Sequence, residues 1–208
     1  GSPVIVGDVL FTVTSNGVDE GHVNIPSPFS PHIIALDKNT GELLWENTDV
    51  GEGVLHGSWT NAAHAEINGR AQVIVPGGDG VIYSLDASTG EVIWQFDCNP
   101  KDAEWILGGR GTRNNILATP VVYDNKVYIG VGQDPEHGEA PGHFYAIDAT
   151  GAGDVTDTHK LWSRDGDDFY RTMSTAAIAD GVLYISSLSG FLHALDPNTG
   201  EEFWTYDA

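Results

Sequence analysis

Basic residues are scarce in this sequence. Only 9 lysines and arginines stand against 30 aspartates and glutamates, which gives a formal net charge of −21 over 208 residues. A protein that binds the phosphate backbone of nucleic acids needs a dense basic surface to release counterions. Non-specific nucleic-acid binding is therefore not expected, and solubility is the simplest interpretation of the acidity.

Cysteine and long apolar runs are lacking as well. Cys98 is the only cysteine, so the sequence predicts neither an intrachain disulfide nor a thiolate metal cluster. No apolar run reaches the length of a membrane-spanning helix, and no charged-then-apolar leader opens the chain. Long segments with the helical period of 3.6 residues are missing too, so we expect an all-β protein.

What the sequence does contain is a repeat. The pattern ALDKNTGELLW at residues 35–45 returns as SLDASTGEVIW at 84–94 and as ALDPNTGEEFW at 194–204. A stretched copy runs from Ala146 to Trp162, with additional residues between its glycine and its tryptophan. Four copies of one pattern indicate a protein built from repeated structural units.

Each copy is interpreted as a β-hairpin. Asp and Asn side chains bond the backbone of the turn, glycine supplies the positive φ, and the second strand ends on tryptophan. A further hairpin with a Gly-Asp, Asp-Asn or Asp-Gly turn precedes several copies, at residues 2–11, 119–128 and 175–184. Two hairpins make a four-stranded antiparallel unit. Four units are predicted, at about residues 1–49, 60–97, 118–163 and 174–208.

Such a unit cannot cover both of its faces alone, so neighbours must stack, and radial stacking gives a β-propeller. The Asp-x-x-Thr-Gly-x-x-x-Trp signature resembles the tryptophan-docking repeat of the PQQ-like, quinoprotein-type β-propellers over essentially the whole chain. The resemblance implies seven or eight blades. The four blades here are then half of a larger ring, or two chains complete one as a homodimer. The resemblance also implies a structural role, the docking of one blade on the next, for four tryptophans: Trp45, Trp94, Trp162 and Trp204.

Most insertions in the repeat gather on one predicted face. Because the strands are antiparallel, loops after the second and fourth strands of each unit emerge together, and insertions in repeat proteins often mark the binding face. In the quinoproteins that this chain resembles, the same face carries the cofactor. Only residues 152–159 interrupt the other face. The loops of the predicted binding face are Ser15–Pro31, Asp49–Trp59, Cys98–Leu117, Gln133–Gly142 and Arg164–Met173.

The candidate ligand-binding residues lie on these loops. Guanidinium groups bind carboxylate or phosphate oxygens in pairs, and an indole offers a flat stacking surface. An anionic, flat or sugar-like ligand would suit that chemistry. Alternatively, the arginines pair with acidic residues and hold the loops in place. The predicted ligand-binding set is Arg110, Arg113, Asn114, Asn115, Arg171, Trp59, Trp105 and His56.

Histidines and carboxylates on the same loops give a weaker signal for a metal. Imidazole and carboxylate suit zinc and similar ions, but no spacing here requires such a site, and none is predicted. Residues 164–168 resemble the start of a calcium loop but lack the later bidentate glutamate. The side chains concerned are His22, His56, His64, His137, Asp134, Glu136 and Glu139.

Two functions follow from the pattern and the resemblance. The first is a noncatalytic propeller that binds a protein partner or a ligand on its loop-rich face, as BamB-like members of the family do. The second is a quinoprotein dehydrogenase with PQQ and calcium, or a fragment of one. No nucleophile–base arrangement is recognisable, and the single cysteine excludes the vicinal disulfide of those enzymes within this chain. We therefore favour the noncatalytic function. The resemblance implies a periplasmic, cell-surface or secreted location.

Overall fold

A computed structural model of the chain describes residues 1–50, 53–108, 110–135, 138, 142–166 and 169–208. Within these residues the secondary structure consists of seventeen β-strands in four sheets, without an α-helix. None of the described residues forms a helix long and apolar enough to cross a bilayer. The prediction of an all-β propeller built from four-stranded antiparallel blades is confirmed.

The strands follow the two-hairpin order that the repeat predicts. Blade one contains β1 (Val4–Val6), β2 (Val9–Val13), β3 (Ile33–Asp37) and β4 (Leu43–Asn47). Blade two contains β5 (Ala63–Ile67), β6 (Arg70–Pro76), β7 (Val81–Asp86) and β8 (Val92–Asp97). Blade three contains β9 (Val121–Tyr123), β10 (Lys126–Val131), β11 (His143–Asp148) and β13 (Lys160–Asp165). Blade four contains β14 (Ala177–Ala179), β15 (Val182–Ser186), β16 (Phe191–Leu195) and β17 (Glu202–Asp207).

The repeated turn between the third and fourth strands of a blade is held by its aspartate. In blade two, Asp86 Oδ1 accepts hydrogen bonds from the backbone N–H groups of Ser88 at 2.8 Å and Thr89 at 3.2 Å. The Ser88 hydroxyl and Arg70 lower the pKa of Asp86 to about 2. Gly90 closes the turn with a φ of 75°, a conformation that favours glycine. The sequence motif thus encodes the backbone of this turn through local hydrogen bonds, and Arg70 of β6 adds an ion pair.

Blade two carries a fifth strand that the repeat does not predict. Strand β12 (Gly153–Asp154) comes from the 152–159 insertion of blade three and pairs in parallel with β8. The Thr156 hydroxyl accepts a hydrogen bond from the backbone N–H of Asp97 at 3.0 Å, and Val155 is buried between the two blades. The insertion therefore attaches blade three to the outer edge of blade two.

Apolar side chains fill the space between successive blades in three clusters. The blade-one tryptophan, Trp45, packs its ring on the turn of blade two, where a Cβ added to Gly90 would lie 2.5 Å from it. Its indole N–H donates to the carbonyl of Ala87 at 3.0 Å. Trp162 repeats this arrangement on blade four, over Gly200 and with its N–H donated to Pro197 O at 3.0 Å.

The other two motif tryptophans have different surroundings. Trp94 is fully buried between blades two and three, but its indole N–H has no hydrogen-bond partner among the described residues. Its receiving turn, at Asp148–Gly151, is the stretched copy of the motif. Trp204 lies on β17, the outermost strand of blade four, and 47% of its surface is exposed. The tryptophans thus mark two regular junctions and one modified junction, and Trp204 lies on the last strand described.

Candidate functional site on the loop face

Loops that follow the second and fourth strands of each blade come together at one end of the sheets. Backbone hydrogen bonds join them across blades: Val18 N–H donates to His56 O at 2.9 Å, and Leu188 N–H donates to Arg171 O at 2.9 Å. We call this surface the loop face. Its described residues are 14–32, 48–50, 53–62, 77–80, 98–108, 110–120, 132–135, 138, 142, 166, 169–176 and 187–190.

The two asparagines of the predicted ligand set are buried and bonded within the protein. Asn114 donates from its side chain to Cys98 O at 2.9 Å. Asn115 pairs its backbone with Gly132, and its side-chain oxygen accepts from Asp134 N–H at 3.3 Å. Both side chains therefore stabilise the connection from blade two to blade three in this structure.

The arginines of the set differ in their contacts. Arg113 lies 3.5 Å from a carboxylate oxygen of Asp97 and is largely covered. Arg171 donates to the backbone carbonyls of Gln133 and Gly138. Arg110 is exposed on the loop between blades two and three. Arg113 thus contacts an acidic side chain and Arg171 contacts backbone carbonyls, and the ligand-binding set stays a prediction.

His56 and Trp59 lie together beside a cavity of about 360 Å³. Their rings meet edge to face with centroids 4.5 Å apart, and Trp59 remains partly exposed. His56 Nε2 is also 2.9 Å from His22 Nε2, and His56 Nδ1 is 3.8 Å from Asp134 Oδ2. The cavity is lined by His56, Trp59, Leu117, Asp134, Pro135 and Met173.

Part of the histidine and carboxylate set considered for a metal is thus brought together. His64 lies elsewhere, on β5, where it stacks on Phe11 with ring centroids 6.4 Å apart. Glu136, His137 and Glu139 lie outside the described residues. Within the described part of the chain there is no group of three or more His, Cys, Asp or Glu side chains that could hold a metal ion.

Trp105 forms a second partly exposed site on the loop face. Its indole N–H donates to Gly53 O at 3.0 Å, which fixes the ring against the neighbouring loop. The ring borders a cavity of about 350 Å³ between the first insertion and the loop after blade two. The cavity is lined by Val23, Asn24, Ile25, Pro28, Trp105 and Leu107.

The loop face also exposes large apolar side chains besides the two tryptophans that the sequence analysis singled out. The most exposed is Phe29, at 81%. Apolar residues inside long polar insertions were a signal available in the sequence, because loops without a binding role need few of them. The exposed apolar residues on this face are Val23, Phe29, Trp59, Trp105, Ile106, Tyr170, Met173 and Leu188.

A cavity of about 570 Å³ lies between the loops of blades two and three and has an acidic lining. Asp102, Glu104 and Asp165 contribute carboxylates to it. His143 opens β11 at the same place, stacks on Tyr145 with centroids 5.6 Å apart, and has its pKa lowered by burial. The sequence analysis did not predict this cavity, because its walls come from two segments that are distant in the chain, residues 100–114 and 143–166.

A buried polar group lies directly beneath the loop face. Asp79, in the turn between β6 and β7, is fully covered, and burial raises its pKa to about 6. It accepts hydrogen bonds from the Tyr83 hydroxyl at 2.5 Å and from Val81 N–H at 3.1 Å. His32, whose ring centroid lies 5.7 Å from that of Tyr83, is buried, and within the described part of the chain neither of its ring nitrogens has a hydrogen-bond partner. Desolvation lowers its pKa to about 4.

The described architecture and its docked tryptophans define a PQQ-like repeat β-propeller. Residues 1–206 match the family described as outer membrane protein assembly factor BamB, and the chain belongs to that family.

Curated relatives include dehydrogenases. The chain is 24% identical to the quinohemoprotein alcohol dehydrogenase ADH-IIG of Pseudomonas putida, over 99% of this chain and 29% of that protein. It is 26% identical to the dehydrogenase XoxF of Paracoccus denitrificans, over 81% of this chain and 24% of that protein. The chain therefore spans less than a third of either relative.

Two solved structures illustrate the likeness in fold. BamB from Moraxella catarrhalis matches 98% of this chain and 50% of its own length, with a TM-score of 0.62 and 19% identity. The quinohemoprotein alcohol dehydrogenase of Comamonas testosteroni matches 99% of this chain and 34% of its own length, with a TM-score of 0.68 and 16% identity.

Proposed function

We propose that this chain is a noncatalytic scaffold that binds a protein segment through its loop face. The observation that carries the proposal is the set of exposed apolar side chains on that face, in particular Trp59 and Trp105. Aromatic anchors beside small cavities are typical of the residues that dominate protein–protein binding energy. Exposed apolar surface of this kind on a soluble protein marks an interaction site.

The two cavities beside these tryptophans could hold side chains of a bound protein segment. Each has a volume of about 350–360 Å³ and lies next to an indole that is fixed by contacts within the protein. A cavity of this volume accepts one or two side chains of the segment. The loops between the cavities offer backbone groups that could form hydrogen bonds with its main chain. The segment would therefore bind at more than one point.

The charge of the loop face indicates which kind of protein segment it would attract. Acidic residues outnumber basic ones by seven to four among the described residues of the loop face, and the whole chain has a net charge of −21. A segment that combines apolar with basic side chains would be attracted to it, and the association rate would fall with added salt. By analogy with the family description, we infer a partner in outer-membrane assembly and a location in the same compartment.

The arginines favour a second form of this proposal, in which the loop face binds an anionic or sugar-like ligand. Arg113 and Arg171 contact groups of the protein itself, so Arg110 would be the residue that meets such a ligand first. Arg110→Ala should then weaken ligand capture without a loss of stability. Arg113→Ala would instead release Asp97, and a fall in the melting temperature would indicate a loop-holding role.

Photo-crosslinking tests the proposal. A photoreactive amino acid replaces Trp59 or Trp105 on the loop face, or Tyr123, which is 45% exposed on the opposite face and serves as control. The chain is expressed in its native host, illuminated and analysed for adducts by mass spectrometry. We expect one protein partner at positions 59 and 105 and none at 123. Equal labelling at all three positions would contradict a binding role for the loop face.

The dehydrogenase function is tested with the same protein. PQQ supplies a two-electron quinone when it is bound with calcium, and the described residues offer no metal cluster of three or more His, Cys, Asp or Glu side chains for that pair. Purified chain is incubated with PQQ, calcium and an alcohol in the presence of an electron-accepting dye. We expect no dye reduction above free PQQ. Protein-dependent reduction would replace the scaffold proposal with the oxidoreductase one.

A further inference from the structure

Blades three and four form a cleft of about 240 Å³ at their junction. Arg164 reaches it from β13 of blade three, and His193 and Glu202 reach it from β16 and β17 of blade four. Phe169 and Tyr170, on the loop that joins the two blades, contribute to the wall. The cleft is therefore a feature of two adjacent blades, and it shares no lining residue with the cavities beside the loop-face tryptophans.

Polar side chains of this wall form one network. Glu202 Oε2 lies 2.9 Å from His193 Nδ1 and 3.2 Å from Arg164 Nη2. Arg164 also donates to the carbonyl of Gly200 at 3.4 Å, and the Thr205 hydroxyl lies 3.4 Å from His193 Nδ1. The guanidinium and the carboxylate balance each other in charge, and both remain partly exposed. The Arg164–Glu202 pair therefore offers hydrogen-bond donors and acceptors without a net charge.

The histidine of this network departs from the repeat. Three residues before the motif aspartate, blades two and three have Tyr83 and Tyr145. Their hydroxyls donate within the protein, to Asp79 Oδ2 at 2.5 Å and to Cys98 O at 3.4 Å. His193 occupies this position in blade four, where its imidazole meets the carboxylate on the neighbouring strand. A titratable imidazole thus stands where the other two blades use a tyrosine for internal bonding.

The charged pair also differs from its counterparts. Asn47 and Arg164 share one repeat position, two residues after the motif tryptophan, and both donate to the carbonyl of a turn glycine, at 2.9 and 3.4 Å. Asparagine is thus sufficient for that bond, and the longer arginine adds a guanidinium on the cleft wall. Two residues before the tryptophan, Leu43 and Val92 occupy the position of Glu202. Blades one and two are built without these charged groups, so the fold does not require them.

Aromatic rings line the rest of the cleft. Phe169 is buried, with its ring centroid 5.5 Å from that of His193, and the Phe191 centroid lies 6.2 Å from the same imidazole. Tyr170 differs from both, because 47% of its surface is exposed. A flat ligand that enters the cleft can therefore cover the exposed part of the Tyr170 ring.

We propose that this cleft binds one ring of a neutral sugar, with the ring against Tyr170 and its hydroxyl groups bonded to the Arg164–Glu202 pair. A sugar hydroxyl both donates and accepts hydrogen bonds, and the CH groups of the ring form an apolar face that fits an aromatic side chain. A carboxylate has about four lone-pair sites, so Glu202 can accept from a ligand in addition to its partners. The cleft volume lies below the roughly 300–1,000 Å³ of pockets for drug-sized ligands, so a single ring fits.

Other classes of ligand fit the cleft less well. An anion would lie beside the Glu202 carboxylate in a chain of net charge −21, and a cation would lie beside the Arg164 guanidinium. A purely apolar ligand would remove water from the polar network without replacing its hydrogen bonds, which is unfavourable. A neutral ligand with several hydroxyl groups avoids all three costs. This inference does not rest on the protein segment proposed for the loop face, because that segment uses the cavities beside Trp59 and Trp105.

Saturation-transfer NMR tests the proposal with the purified chain and with neutral probes: glucose, galactose, mannose and N-acetylglucosamine. A single sugar ring has only about twelve to fifteen non-hydrogen atoms, so the dissociation constant should lie in the millimolar range. We expect saturation transfer to at least one of these sugars, and weaker transfer to glucuronate and to protonated glucosamine. No transfer to any neutral probe at about 50 mM would overturn the proposal. Equal or tighter binding of the charged sugars would overturn it as well.

Matched variants test whether the sugar binds in the cleft. Tyr170→Ala should weaken sugar binding about tenfold, because it removes the aromatic face. Tyr123→Ala should leave binding unchanged, since that ring is similarly exposed, at 45%, on the opposite face. Glu202→Gln should weaken binding about tenfold by removing the charged acceptor, whereas Glu201→Gln, at the neighbouring residue, should not.

A conservative variant and a folding control complete the test. Tyr170→Phe keeps the ring and should bind the sugar as the unaltered chain does. Thermal unfolding measures the stability of each variant, and if Glu202→Gln does not fold, the comparison of Tyr170→Ala with Tyr123→Ala still decides. If Tyr170→Ala binds the sugar as tightly as the unaltered chain, or if Tyr123→Ala weakens binding equally, the cleft is not the sugar site.

Discussion

The buried pair His32 and Asp79 should give the protein two opposed pH dependences. Asp79 has a folded-state pKa of about 6, above its ordinary value of 3.8, because burial disfavours the carboxylate. The folded state then binds more protons than the unfolded state between these values. Stability from this group is present below about pH 4 and is lost as the pH rises through 6.

His32 acts in the other direction. Its folded-state pKa of about 4 lies below the ordinary 6.5, because desolvation disfavours the imidazolium. The unfolded state then binds the additional proton, so stability is present above pH 6.5 and is lost as the pH falls toward 4. A shift of two or more pKa units corresponds to roughly 3 kcal/mol for each group. In the unaltered protein the two contributions largely cancel between pH 4 and 6.

Single substitutions should separate the two effects. Asp79→Asn leaves the histidine contribution, so the free energy of unfolding should fall by roughly 3 kcal/mol from pH 6.5 to pH 4. His32→Phe leaves the aspartate contribution, so the change over that interval should have the opposite sign. Urea unfolding followed by circular dichroism at several pH values measures both. The Asp49 carboxylate raises the pKa of His32, and the Arg113 guanidinium lowers that of Asp79. Neither group is altered in the two variants. If both variants follow the pH profile of the unaltered protein, the buried pair does not control it.

Three further predictions concern the packing between blades. Gly90→Ala should lower the free energy of unfolding by about 2–4 kcal/mol, because the added Cβ would lie 2.5 Å from the Trp45 ring. Gly41 has the same φ and open space around its Cβ, so Gly41→Ala should lower the free energy of unfolding by only about 1 kcal/mol. Thermal unfolding of the two variants measures this contrast. Cys98 is buried with a pKa raised well above its usual value, so a thiol reagent at pH 8 should label it only as fast as the protein unfolds. Immediate labelling in native buffer would contradict that burial. Val155→Ala should lower the free energy of unfolding by about 1–3 kcal/mol, because it truncates a side chain buried beside the additional strand. Denaturant titration measures the change, and an unchanged unfolding midpoint would refute the place of Val155 in the core.

The blades could be predicted from the sequence because their turns depend on neighbours in the chain. Asp37, Asp86 and Asp196 each accept hydrogen bonds from backbone N–H groups within the next three residues, and a glycine four residues on closes the turn. Such interactions are encoded in a short motif and repeat with it. The fold class followed from the motif and from the need of each sheet for a neighbour.

The loop face was only partly predictable because its contacts are distant in sequence. His22 and His56 meet across 34 residues, and the side chain of Asn114 meets Cys98 O across 16. Periodicity carries no information about such contacts. The sequence could suggest that the arginines bind either a ligand or the protein's own acidic groups, and only the folded chain shows Arg113 beside Asp97. The strand β12 also escaped prediction, because two residues in an insertion carry no strand pattern.

That short strand has a consequence for how the protein opens. Residues 153–156 belong to blade three by sequence but share backbone and side-chain hydrogen bonds with blade two. The two central blades cannot separate unless these bonds break, whereas blades one and four are attached to their neighbours by side-chain hydrogen bonds, packing and loop contacts, without a shared pair of strands. Among the three junctions described, the one between blades two and three should therefore open last. Amide hydrogens of β6 and β7 should exchange last, so the middle of the blade row is the most persistent structure of the chain.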